Sequence, residues 1–271
     1  MNTLTSPNNP KIKQIRALRQ HKARQESGLF VVEGIRHVGE AAEAGAQFAY
    51  LCYAPELLKS DYALGLIHQL EARGVPIYAV DANTFASLAD KDNPQGILAV
   101  LPQPNLQLSN LQPATYPWLV ALVSPQDPGN IGAILRTIDA VGASGLILLD
   151  QATDPYHPSA VRASMGTIFW HPVVTASFNE FRLWAVRHAY TLYGTSAHGS
   201  TPYEQIARYT PPMILLMGSE REGLTAEQSA ACQQLIRLPM LGHATSLNLA
   251  IATGVMLYQM WEKRVSESID N

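Results

Sequence analysis

The chain has 271 residues, 47% of them apolar and only 15% charged, with a formal net charge of -3. Such a composition supports substantial cores and excludes a disordered or coiled-coil protein, and the length exceeds the commonest domain size, so two domains are expected. With no global basic field, any contact with nucleic acid must come from a local patch.

One such patch lies at the amino end. Residues 1–24 carry Lys11, Lys13, Arg16, Arg19, Lys22 and Arg24 and no acid, which leaves 13 bases against 22 acids in the remainder. Ile12, Ile15 and Leu18 recur every three residues between these charges, the pattern of a short basic amphipathic helix. Cys52 and Cys232 stand far from each other and from any histidine at ligand spacing, so neither a disulfide framework nor a metal site is expected. Met1 to Lys13 lacks an apolar signal region, and no stretch reaches the ~18 apolar residues of a membrane span. The expectation is a soluble, cytoplasmic protein.

In chain order, Leu29 to Val32 reads as a strand and Gly34 to Ala44 as a helix closed by Gly45. Gln47 to Ala54 is a second strand, Pro55 to Arg73 a helix stopped at Gly74, and Val75 to Val80 and Gly96 to Leu101 are further strands around a short helix near Thr84 to Leu88. Alternating elements of this kind predict a small α/β domain over residues 1–101. Pro102, Pro104, Pro113 and Pro117 then interrupt a segment without period, which predicts a linker over 102–117.

The second domain, 118–271, opens with the apolar strand Trp118 to Val123 and a helix whose stripe is Ile131, Ile134, Leu135, Ile138 and Val141. Pro128 and Gly129 bend the chain between them, Asn130 is read as the helix N-cap, and Arg136 projects from the polar face. Leu146 to Leu149 is a strand, Pro158 to Met165 a helix, Phe169 to Val174 a strand and Phe181 to Arg187 a helix. Strands at Thr191 to Gly194, Met213 to Met217 and Leu235 to Leu238 follow, with a final helix from Ser246 to about Lys263. Short apolar strands between helices predict a mostly parallel sheet, which takes ligands beyond the carboxyl ends of its strands.

Three segments fall at such ends. The first is Asp127 to Thr137. The second is Met217-Gly-Ser-Glu-Arg-Glu-Gly-Leu224, in which Gly218 lets a ligand approach the main chain and Glu220 can accept hydrogen bonds or pair with a guanidinium. The third is Leu238-Pro-Met-Leu-Gly-His-Ala-Thr-Ser-Leu-Asn-Leu249, where Thr245 and Ser246 can cap the last helix and Asn248 lies in its first turn. Each alone has an ordinary explanation: a solvated arginine, a glycine turn, a helix cap. The last helix, with Leu247, Leu249, Ile251, Val255, Met256, Leu257, Met260 and Trp261, is apolar around much of its circumference and must be covered on more than one side, as a core helix or a dimer interface would be.

Together the three segments resemble the motifs of the SpoU/TrmH family of RNA ribose 2′-O-methyltransferases, of the SPOUT superfamily. Asn130 and Arg136 match the first motif, Gly218 and Glu220 the second, and Ser246, Leu247 and Asn248 the third, over roughly residues 118–263. The amino half, through Asn9-Pro-Lys-Ile-Lys13 and Phe30-Val-Val-Glu-Gly34, is similar to the substrate-binding domain that many of these enzymes carry. Arg221 stands where many relatives have glycine after the second motif's glutamate, and His243-Ala-Thr precedes Ser246 where smaller residues are frequent. The resemblance implies a carboxyl-terminal parallel-sheet domain with a deep trefoil knot, preceded by a smaller L30e-like α/β domain. It implies S-adenosyl-L-methionine as cofactor, held near Gly218, Leu238 and Leu247, and a homodimer packed through the knotted domain. It implies transfer of a methyl group to a ribose of RNA, 23S rRNA before tRNA, with Arg136, Asn130, Glu220, Ser246 and Asn248 as the catalytic set. Lys11, Lys13, Arg16 and Arg19 would then meet RNA phosphates.

Other readings compete. A non-catalytic, ribosome-associated RNA-binding protein could share the fold. A serine hydrolase is suggested by Gly194-Thr-Ser-Ala-His198, whose fifth residue is not the glycine of a nucleophile elbow. Gly218 and Gly223 have P-loop spacing, but Leu224-Thr225 does not supply the required Lys-Ser/Thr pair. His157, His171 and His243 offer no metal spacing.

Overall fold

The computed structural model describes residues 2–4, 6, 8–90 and 93–264. Two units pack separately: residues up to Asn105 together with Tyr156–Trp170, and Leu106–Pro155 together with the chain from His171.

In the first unit, β1 (Asn2–Leu4), α1 (Pro10–Ala17), α2 (His21–Ser27), β2 (Leu29–Glu33), α3 (Ile35–Glu43), β3 (Tyr50–Tyr53), α4 (Asp61–Ala72), β4 (Ile77–Val80), α5 (Ala82–Leu88) and β5 (Ile97–Pro102) follow in order. The strands form a mixed sheet of order β1-β4-β3-β5-β2. Helix α1 starts where Asn9 accepts from the Lys11 amide and Pro10 fills the first helical position. Its apolar row, Ile12 and Ile15, continues through Leu18 into the core formed with Tyr50, Cys52, Phe85 and Val100. Helix α4 begins at Asp61 rather than Pro55, because the Ser60 hydroxyl accepts from the Ala63 amide and makes the cap there. Residues 156–170 hold to this unit through Phe30, whose ring lies 4.7 Å from Tyr156 and 6.4 Å from Phe169, and through an Arg162–Asp90 ion pair.

The second unit contains β6 (Trp118–Val123), α6 (Pro128–Val141) and β7 (Gly145–Leu149). After α7 (Pro158–Ala163), which packs with the first unit, come β8 (Val173–Ala176), α8 (Phe178–Arg187), β9 (Thr191–Thr195), β10 (Thr201–Pro202), β11 (Met213–Met217), α9 (Ala226–Ala230), β12 (Gln234–Arg237) and α10 (Leu249–Lys263). All seven strands pair in parallel, in the order β10-β12-β9-β11-β6-β7-β8. Every residue of β6, β7 and β11 is buried, as a parallel sheet covered on both faces requires. This is the α/β architecture expected from the alternating pattern. Because the strands are parallel, the segments that follow β6, β11 and β12 leave from one edge of the sheet.

Candidate active site

The three segments meet at that edge through their side chains. Asn248 is the N-cap of α10: its Oδ1 accepts from the amides of Ala250 at 2.9 Å and Ile251 at 3.3 Å. Two main-chain donors fix which end of its amide carries oxygen, so Nδ2 must face the other way. It donates to Asn130 Oδ1 at 3.1 Å, and Asn130 Nδ2 in turn donates to Glu220 Oε1 at 2.5 Å. One directional chain of hydrogen bonds thus runs from the amino end of α10 through two amides to a carboxylate. Charge-assisted bonds of this type are the short, strong ones.

Two cap assignments change. The N-cap of α6 is Asp127, whose side chain accepts from the Gly129 amide at 2.8 Å, with Pro128 as first helical residue. Asn130 is therefore inside the helix and buried to 6% exposure, its amide left for Glu220 and Asn248. At α10 the cap is Asn248 itself, and Thr245 and Ser246 lie before it in an exposed loop. In both places several polar residues stand close together in sequence, and Asn130 is taken up by Glu220 and Asn248 rather than by a cap.

Glu220 rides on a tight turn. Ser219 and Gly223 exchange two backbone hydrogen bonds of 3.0 Å, and Ser219 Oγ accepts from the Glu222 amide at 3.2 Å. A Cβ on Gly218 would lie 2.2 Å from the Gly223 carbonyl carbon, so the chain's own turn requires glycine at 218. Gly223, at φ +69°, closes the turn in the left-handed region.

The remaining residues of the set are placed as follows. Leu238 is half-buried at the end of β12, while Ser246 and Leu247 are exposed just ahead of Asn248. Among the described residues no main-chain N–H from Met240 to Leu247 donates a hydrogen bond. A loop with that many unbonded main-chain N–H groups, leading into Asn248, fits an adenosyl group held by main chain, so the residues present suit S-adenosylmethionine. Arg136 is exposed and stands apart from the network, without a hydrogen bond or ion pair among the described residues. Six residues beyond Asn130 on a helix, it lies about 9 Å further along the axis and roughly 120° around it.

Helix α10 packs on α6 through a buried side containing Leu249, Thr253, Met256, Leu257 and Met260. Its other side leaves Ile251 57%, Val255 39%, Tyr258 53% and Trp261 50% exposed, continued by Leu247 at 41%. Tyr258 completes the stripe and was hidden in the sequence by its intermediate polarity.

The amino-terminal bases are mostly engaged within their own unit. Arg16 donates to Ser87 Oγ at 2.7 Å, and Arg19 to the Leu88 and Ala89 carbonyls at 3.0 and 2.5 Å, satisfying the carboxyl end of α5. Lys11 Nζ lies over the rings of Tyr50 and Tyr78, 4.2 and 4.8 Å from their centroids. Arg24 is buried and donates to the Leu18 and Arg19 carbonyls. Lys13 is exposed and without such an engagement among the described residues.

Burial raises the thiol of Cys52, in the core, to about 12 and that of the half-buried Cys232 to about 11, so both stay protonated near neutrality. Ser196 Oγ accepts from the His198 amide in a local turn, which removes the suggestion of a nucleophile elbow. Among the described residues no cluster of His, Cys, Asp or Glu could hold a metal, and no helix is long and apolar enough to cross a membrane.

An all-parallel sheet with three converging carboxyl-edge loops defines a class of α/β ligand-binding enzyme folds. Residues 117–258 match the SpoU rRNA Methylase family and residues 9–99 an MRM3-like substrate binding domain, and the chain belongs to the SpoU rRNA methylase family. It is 34% identical over 251 residues to a 23S rRNA (uridine(2479)-2'-O)-methyltransferase of Streptomyces viridochromogenes, covering 90% of this chain and 86% of that protein. To a 23S rRNA (guanosine(2553)-2'-O)-methyltransferase of Bacillus subtilis it is 27% identical, covering 96% and 99%. Among solved structures, the AdoMet-bound rRNA methyltransferase of Sinorhizobium meliloti superposes with a TM-score of 0.89 at 36% identity, covering 98% and 99% of the two chains. AviRb of Streptomyces viridochromogenes in complex with AdoMet gives 0.83 at 32%, covering 94% and 98%.

Proposed function

We propose that the protein is an S-adenosylmethionine-dependent ribose 2′-O-methyltransferase acting on 23S rRNA. The observation that carries this reading is the bonded chain Asn248–Asn130–Glu220, which unites three segments distant in sequence at the sheet edge where such a fold takes its ligand. The cofactor supplies a methyl group on a sulfonium. The protein must place a ribose 2′-oxygen in line with that methyl and favour negative charge on it as its proton leaves.

Arg136 is the group suited to that charge. A guanidinium keeps its proton, so it acts by electrostatic stabilisation and hydrogen bonding rather than as a base. Glu220, with Oε1 held by Asn130, has its other oxygen free to orient a ribose hydroxyl or a guanidinium. Ser246 and Asn248 border the same opening, and main chain near Gly218, Leu238 and Leu247 holds the cofactor.

The functional unit is a homodimer, with the carboxyl-terminal chain tied in the trefoil knot of the superfamily. Support comes from the apolar stripe on α10, which a second copy would cover, and from Arg136, which stands about 9 Å along α6 from the network and is available to a neighbouring chain's site. The basic stretch at the start of the amino-terminal unit would hold RNA, with Lys13 the residue best exposed to phosphate. Alkali mapping tests the assignment. Incubation with labelled methyl donor and unmodified 23S rRNA is expected to yield one alkali-resistant linkage, since a methylated 2′-oxygen cannot attack the adjacent phosphate. Label incorporated only into bases, or none at all, would refute it.

A further inference from the structure

Arg221 occupies a position that the reaction scheme above leaves unused, and its setting is specific. The turn that carries it is closed at both ends by the reciprocal Ser219 and Gly223 hydrogen bonds and braced by Ser219 Oγ, so the side chain starts from a fixed backbone. Its neighbours in sequence are the acids Glu220 and Glu222, yet it forms no ion pair with either among the described residues. Glu220 is instead committed to Asn130. The result is an exposed guanidinium one residue from the anchored carboxylate of the network.

We propose that Arg221 is a positioning residue that binds the RNA phosphate flanking the target ribose. This rests on the methyltransferase reading, and it adds a ligand for a residue that departs from the family's usual glycine. The chemistry favours it on two grounds. A ribose 2′-hydroxyl and the phosphate on its own 3′-oxygen are neighbours in any RNA chain, so a site that grips the ribose must also accommodate that phosphate. The planar fork of arginine matches phosphate oxygens two at a time, which fixes orientation as well as adding affinity. A protein of net charge -3 needs individual, well-placed bases of this kind where the backbone of its substrate runs closest.

The test compares wild type with Arg221→Ala and Arg221→Lys, using an unmodified 23S rRNA transcript and S-adenosylmethionine. Filter binding at several salt concentrations is expected to show RNA affinity weakened on the order of tenfold by alanine and less by lysine. The slope of log affinity against log salt should become shallower by about 0.7 to 1, the signature of one lost phosphate contact. Kinetically the loss should fall on the KM for RNA rather than on kcat, and calorimetry should give the wild-type cofactor affinity. An unaltered salt slope and RNA affinity in the alanine variant would overturn the proposal, as would loss of cofactor binding, which would mark Arg221 as part of the turn's architecture. RNA binding is read independently of turnover. A wild-type protein that binds the transcript but transfers no methyl would therefore count against the enzymatic reading, while the binding comparison would still decide the role of Arg221.

Discussion

Asn248 serves two masters, and its two ends can be tested separately. Its Oδ1 caps α10 and its Nδ2 holds Asn130. Asn248→Asp keeps the capping oxygen but replaces the donor with a second acceptor facing Asn130 Oδ1. It should leave thermal stability near that of wild type while reducing methyl transfer at least a hundredfold. Asn248→Ala loses both ends, and should in addition destabilise the fold by about 1 kcal/mol through the missing cap. Equal melting temperatures for the two variants would remove the capping role; full turnover in the aspartate variant would remove the network from the chemistry. The identities of Asn130, Glu220 and Asn248 were legible from their motifs, but their mutual bonding was not. No spacing rule says that positions separated by 90 and 118 residues share an amide.

At the level of elements, legibility followed burial. Strands β6, β7 and β11 are covered on both faces and so read as unbroken apolar runs, and β6 and β11 were placed to the residue. The pieces that escaped were short or weakly patterned. Helix α2 is seven residues whose buried member is an arginine, α9 is five residues made recognisable only by the capping box of Thr225 and Gln228, and β10 spans two residues. Elements this small carry less than two turns of period, and tertiary contacts define them. The basic helix α1 is legible in the pattern, but the bonds of Arg16 and Arg19 to α5 are not. Arg16 and Arg19 bond to α5, so reversing them would disturb the fold together with any RNA contact. One helix end offers a simple stability test. Ala189, just past the end of α8, sits at φ +55° while the following Tyr190 amide returns to the Ala185 carbonyl. A Cβ in that conformation costs about 1 kcal/mol, so Ala189→Gly should raise the unfolding free energy by roughly 0.5 to 1 kcal/mol in denaturant titration. A destabilised variant would show that the methyl's own packing outweighs the backbone term.

For the whole molecule, the decisive question is whether one chain suffices. If Arg136 acts on a site held by a second copy, Arg136→Ala and Asn248→Ala should each be inactive alone. After mixing under conditions that exchange subunits, they should recover about a quarter of wild-type turnover, because half the dimers are mixed and each of those has one intact site of two. No recovery despite verified exchange would assign the arginine to its own chain. If a second copy covers the exposed stripe, a substitution there such as Ile251→Glu should halve the mass in solution and abolish turnover together.

Those two effects are linked by the build of α10. Its first turn donates the two amides that orient Asn248 and, through Asn130, the carboxylate of Glu220; its flank bears the apolar stripe. One rod thus carries both the aim of the acid and the surface a second copy would grip. If a second copy covers that stripe, a change that tilts the rod at its flank would also turn the tip that aims the acid.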